Sequence, residues 1–187
     1  MDNMRPLSYT IKKNHEVGNM DGLAYLKKSE QRLERYFDKM NLEQDNLLFD
    51  LVAELHASDE GYFLVHSIKT YSVQHHEFLF AKHFSGAVNK ADLEPYLQLL
   101  RERMQALQTT TEHMSSLFAF LIVCEEGMDA ALKQELAKYK YHKDYCFTLK
   151  GWSDLAVYVA DIPKQEVTCN KAGRKTKDYF EFSKLMA

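Results

Sequence analysis

Leu117-Phe118-Ala119-Phe120-Leu121-Ile122-Val123-Cys124 is an unbroken apolar run, rich in residues that favour extended backbone. A short run with no polar residue at either alternation predicts a strand buried on both faces, the kind found in a helix-covered parallel sheet. It is far too short to cross a bilayer. Glu125-Glu126-Gly127 follows, then Met128 to Tyr139 at amphipathic helical spacing, then Tyr145 to Leu149 as a further short strand. A strand, helix and strand of this length predict a right-handed βαβ crossover. This stretch fixes the expected class as α/β with a mixed sheet.

Upstream, Leu23, Leu26, Leu33, Phe37 and Met40 recur at helical spacing and predict a helix over 22–40, with Asp21 as N-cap and Glu30 inside the stripe. Residues 1–20 read as a polar lead-in, and 21–187 as one domain. From Leu47 to Leu55 the pattern alternates, with Phe49, Leu51, Ala53 and Leu55 against Asp50, Val52, Glu54 and His56. Ser58-Asp59-Glu60-Gly61 and Gln74-His75-His76 are turn chemistry. They separate this strand from two more, Tyr62–Tyr71 and Glu77–Phe84. The three predict an antiparallel meander. Asp92 is the expected cap of a helix bearing Leu93, Leu97, Leu100, Met104 and Leu107, with Pro95 in its first turn. Beyond the crossover, Leu155–Asp161 and Glu166–Cys169 read as strands. Asn170-Lys171-Ala172-Gly173 reads as a hairpin turn leading to a last strand near Tyr179–Phe182. Helices are expected on both faces of the sheet.

The 187 residues suit one domain with a full core. Apolar content of 45% and charged content of 27% exclude a disordered chain. A net charge of -3 excludes a broadly basic nucleic-acid coat. The charge is uneven, however: residues 128–187 hold 11 Lys/Arg and 8 Asp/Glu, a net +3, against -6 for the first 127. Cys124, Cys146 and Cys169 have no zinc-ligand spacing, sit in strand-like runs and read as buried free thiols of a reducing compartment. Met1 to Asn14 has no apolar segment of the signal-peptide kind. A cytoplasmic location without membrane partners is the expectation.

Four constellations bear chemistry. A tight turn at Asp59-Glu60 would set Asp50 opposite Lys69, Val52 opposite Ser67 and Glu54 opposite Val65, with all these residues on one side of the sheet. Two carboxylates with a lysine can hold Mg²⁺ and position an attacking water. The commoner meaning of such a pair is a cross-strand ion pair of little energetic consequence. Five histidines lie between 56 and 83, namely His56, His66, His75, His76 and His83, but without ligand spacing on a secure element, so no metal site is assigned. Glu125-Glu126-Gly127 stands where α/β sheets often bind ligands, or else begins the next helix, where carboxylates suit the dipole. Last, Lys140, Lys143, Lys171, Arg174 and Lys175, with Tyr139 and Tyr141, offer charges for phosphate and rings for bases, or a solvated edge. Trp152 lies between two strands, where it either packs or gates a pocket.

The stretches Glu112-His113-Met114-Ser115, Lys140-Tyr141-His142-Lys143, Lys150-Gly151-Trp152 and Thr168-Cys169-Asn170-Lys171-Ala172-Gly173 resemble those of a small bacterial family known as a domain of unknown function. The resemblance covers most of residues 22–182 and implies no activity or site. Asp50 and Lys69 give a far more distant resemblance to a degenerate PD-(D/E)XK nuclease core, with Ser67 where the second acid would stand and Glu30 as a helix-borne acid. The leading expectation is a non-enzymatic or catalytically degenerate binding domain with a protein or nucleic-acid partner. The alternatives are a Mg²⁺-dependent nuclease-like hydrolase using Asp50, Glu54 and Lys69, and a small-molecule binder near Glu125 and Trp152.

Overall fold

The computed structural model describes residues 20–34, 37–39, 48–55, 74–109, 113–147 and 149–186. In chain order the elements are α1 (Gly22–Leu33), β1 (Phe37–Lys39), β2 (Leu51–Leu55), β3 (Gln74–Phe84), α2 (Lys90–Ala106), β4 (His113–Cys124), α3 (Ala130–Lys138), β5 (His142–Asp144), β6 (Trp152–Asp161), β7 (Glu166–Cys169), a 3-10 turn (Lys177–Tyr179) and α4 (Phe182–Leu185). The strands form one mixed sheet in the order β1-β2-β3-β4-β6, and both β5 and β7 pair with the outer edge of β6.

The buried apolar run is the middle of this sheet. β4 pairs parallel with β3 on one side and with β6 on the other. Its odd positions, Ala119, Leu121 and Val123, pack with residues of α1 and α4. Its even positions, Phe118, Phe120, Ile122 and Cys124, pack with residues of α2 and α3. The expected α/β class and two-sided helical cover are therefore present. The sheet holds two consecutive crossovers, β3-α2-β4 and β4-α3-β6, where the sequence suggested one.

Several expected elements differ. The helix predicted over 22–40 stops at Leu33, and Phe37–Lys39 joins the sheet antiparallel to β2. Leu23 points outward; the buried face is Gly22, Tyr25, Leu26, Ser29 and Leu33, in which two small residues let the helix sit close. Asp21 is the N-cap as expected. For α2 the cap is Asn89, not Asp92: its side chain accepts from Ala91 and Asp92, while Asp92 accepts from the Asn89 N–H to close a capping box. Pro95 thus lies in the second turn, on the exposed face. The crossover from β4 returns through β6, not through Tyr145–Leu149. That stretch turns back, with Cys146 and Phe147 in left-handed backbone at φ 49° and 55°, while the buried Tyr145 hydroxyl donates to the Met104 carbonyl. The predicted run Tyr62–Tyr71 lies outside the described residues.

The chain after β7 is not a hairpin. Gly173 lies on the Tyr158 ring so closely that a Cβ would fall 2.7 Å from its Cε1. Phe180, Phe182 and Leu185 then turn inward onto the α1 side of the core. The Tyr25 hydroxyl donates to the Phe180 carbonyl and ties the first helix to this segment. Asn170, 1% exposed, joins the two short edge strands. Its Oδ1 accepts from Val157 and Gly173, and its Nδ2 donates to the carbonyls of Leu155 and Tyr139. Between β5 and β7 a side chain thus completes the ladder that backbone makes elsewhere.

Candidate functional site

A recess of about 510 Å³ lies at the N-terminal end of β4 and β6. That falls within the range of small-molecule sites, roughly 300–1,000 Å³. Its floor is the strand ends. Cross-strand register places His75, Ser115, Trp152 and Asp144 in one row and Glu77, Leu117, Asp154 and His142 in the next. Paired residues share a face, and Leu117 packs toward α1 and α4, so both rows lie on that face. One wall is the segment Tyr139 to His142, and the other is the turn region 170–176 that follows β7. The apolar lining includes Leu117, Leu155, Ala172 and Trp152.

Three lysines border it: Lys140 from the first wall, Lys171 and Lys175 from the second. All three are exposed, and none forms an ion pair among the described residues. On the floor, Asp154 Oδ1 lies 2.8 Å from His142 Nδ1, and Asp144 Oδ1 lies 3.2 Å from His142 Nε2. The hydrogen bond to Asp154 raises the His142 pKa; burial pulls it partly back, and Asp144 adds to the rise. Ser115 Oγ lies 2.6 Å from His75 Nδ1. Beside Leu117, on β3, Glu77 is buried with its Oε2 unpartnered among the described residues, and burial pushes its carboxyl up to about 8.

The opposite end of the parallel strands is closed by internal pairs. Glu125 Oε2 accepts the Gly22 N–H at 2.7 Å and lies 2.9 Å from His83 Nε2. Gly22 is needed here, since a Cβ would come within 2.5 Å of both partners. Asp161, 1% exposed, is paired with Lys133 and accepts the Lys164 N–H. Burial works to raise the Asp161 pKa, but the Lys133 ammonium outweighs it, and the carboxyl titrates below its usual range.

The sequence-derived candidates divide accordingly. Lys140, Lys171 and Lys175 come together at the recess. Lys143 pairs in register with Ser153, on the opposite face, and Arg174 is exposed outside the lining. Tyr139 and Tyr141 also line the recess, while their hydroxyls reach α2 and accept from Arg101 and Gln105. Asp50 accepts from Lys82 Nζ at 3.1 Å and from the His83 N–H at 2.7 Å, while Lys69 lies outside the described residues. Glu54 lies 3.5 Å from His76. Asp50 and Glu54 are four residues apart along extended chain, about 13 Å, too far to share one ion. Glu30, half-buried, is on α1.

Of the histidine cluster, His75, His76 and His83, all on β3, have the separate partners Ser115, Glu54 and Glu125, His56 and His66 lie outside the described residues, and no metal-binding group of three exists among the described residues. Glu125 does sit at a helix start, but that of α1 rather than the helix following it, which Asp129 caps. Trp152 and Glu125 stand at opposite ends of the sheet, since Trp152 is level with Ser115 and Asp161 with Cys124. The three thiols are free, and Cys146 is exposed rather than buried.

Sequence reasoning missed Asp154, Ser115 and Asn170. The available signal was in β6, where Trp152 and Asp154 share a face ahead of an all-apolar continuation. No helix among the described residues is long and apolar enough to cross a membrane. No curated protein and no solved structure matches the chain. The expected likeness to a domain of unknown function is met and the nuclease likeness is not: the family model described as Domain of unknown function (DUF8052) matches residues 21–182, and the chain belongs to that family.

Proposed function

We propose that this domain is a binding module whose site is the recess at the N-terminal end of β4 and β6, and whose ligand is an anion with a flat apolar body. The observation that carries this reading is the set of three lysines, without ion-pair partners among the described residues, around a recess whose lining is mostly apolar. Lysines on a merely solvated edge need no concavity between them. Here they approach from two separate chain segments and face one recess. The lining favours a ligand that buries apolar area below and presents negative charge above.

The test uses 1-anilinonaphthalene-8-sulfonate, a flat aromatic anion. Trp152 is the single tryptophan of the chain and lines the recess, so energy transfer from it to the probe reports binding to the domain, and the lysine substitutions assign that binding to the recess. Saturable transfer is expected, weakened about tenfold by Lys171→Ala or Lys175→Ala, the worth of one charge-assisted hydrogen bond. Saturable binding that is indifferent to both substitutions would defeat the reading.

A further inference from the structure

We infer that the ligand of this recess is a ribonucleotide, with its phosphate among Lys140, Lys171 and Lys175, its ribose hydroxyls on Asp154 and its base against Trp152. The inference rests on the proposed binding site and deepens it.

The decisive residue is Asp154. A recess built for a simple anion has no use for a carboxylate on its floor, because that charge repels the ligand the lysines attract. Asp154 nevertheless lines the recess, its side chain 40% exposed. Its Oδ1 is held by His142, and Oδ2 has no hydrogen-bond partner among the described residues. An oriented carboxylate with an unused oxygen asks for a neutral donor on the ligand. A ribose diol supplies two such hydroxyls, and carboxylates bind them in dinucleotide sites for the same reason. The ligand must therefore carry negative charge at one end and neutral hydroxyl donors further in.

The second requirement comes from Trp152. It is two residues before Asp154 on the same face of β6, about 7 Å along the strand. Half-buried indole is a stacking platform for a planar ring, and the stack tolerates any base. Ser115, level with Trp152 in register, adds a hydroxyl at the ring's edge, fixed by His75. Phosphate, diol and ring are the three parts of a nucleotide, and the volume of about 510 Å³ suits one residue rather than a chain. A free mononucleotide and the end of an RNA strand share this chemistry.

The experiment follows quenching of Trp152 and displacement of the anilinonaphthalene probe from the full chain. The competitors are AMP, 2′,3′-dideoxy-AMP, adenosine, ribose 5-phosphate and a 5′-phosphorylated tetraribonucleotide. AMP is expected to quench and displace, with adenosine, ribose 5-phosphate and the dideoxy form each at least about tenfold weaker. Asp154→Asn should erase the preference for AMP over the dideoxy form, which is read as the ratio of the two competitors on the same variant. Displacement by the tetranucleotide about tenfold better than by AMP would keep the inference and assign the site to an RNA end. Ribose 5-phosphate or dideoxy-AMP binding as well as AMP would overturn it. Bound probe that no nucleotide displaces would overturn the nucleotide and leave the binding site standing; failure of the probe itself would remove both.

Discussion

At the C-terminal end of β3, β4 and β6 the chain answers its own charges. Glu125 takes the first N–H of α1 together with His83, and Asp161 takes Lys133 and the Lys164 N–H. At the N-terminal end the lysines stand around a recess without acidic partners among the described residues, where Asp154 also keeps one oxygen unpartnered. Parallel sheets usually place ligands beyond the C-terminal ends of their strands. Here that end is filled by α1, whose N-terminus supplies Glu125 with the donor that a ligand site would have offered elsewhere. On the proposed function, the end of a sheet becomes a site where its lysines lack ion-pair partners among the described residues, whichever end that is.

The contrast breaks most visibly at the sealed end. Asp161→Ala leaves the half-buried Lys133 ammonium without its partner and should cost about 3 kcal/mol in urea unfolding. Asp154→Asn at the open end should cost under about 1 kcal/mol, being partly exposed. Equal costs would refute the contrast.

Beside the floor, on β3, Glu77 is buried as a neutral acid. With its carboxyl raised to about 8, the folded state holds a proton that the unfolded chain releases near its ordinary value of 4.5. Its contribution is therefore complete below about 4.5 and is lost as pH rises to about 8. Glu77→Gln should remove that slope, leaving the variant a few kcal/mol more stable than the parent at alkaline pH. Unfolding at pH 5 and pH 9 measures it.

Gly22→Ala drives a methyl onto Glu125 and His83 and should cost about 1–3 kcal/mol by the same assay, without altering probe binding at the far end. Lys140→Ala should do the reverse, leaving stability within about 0.5 kcal/mol and weakening probe binding about tenfold. The smallest effect belongs to His142. Its raised pKa means that its ion pairs add stability at acid pH, fully present below the unfolded value and lost as pH rises through the folded one. His142→Gln should flatten that shallow dependence in thermal melts between pH 5 and pH 8.

The sheet was legible because Leu117–Cys124 has no polar residue on either face, which only a doubly covered strand tolerates. The lysines of the recess were legible as a cluster in sequence, since Lys171 and Lys175 lie close together. Asp154 was not, because its meaning depends on β6 standing beside β4 and β5, and register between distant segments leaves no mark in composition. The same holds for Glu125: a carboxylate after a strand looks like the start of the next helix, and only tertiary packing brings the N-terminus of α1, 103 residues away, to claim it.

Asn170 bears on how the chain is made. The carbonyls of Tyr139 and Leu155 and the N–H of Val157 all wait for its amide. A chain growing on the ribosome has no such amide until residue 170 has left the exit tunnel, so β6 stands with an open gap in its edge until then. Translation stalled just before that point should yield nascent chains that proteases cut near β5, and a few more residues of synthesis should protect them.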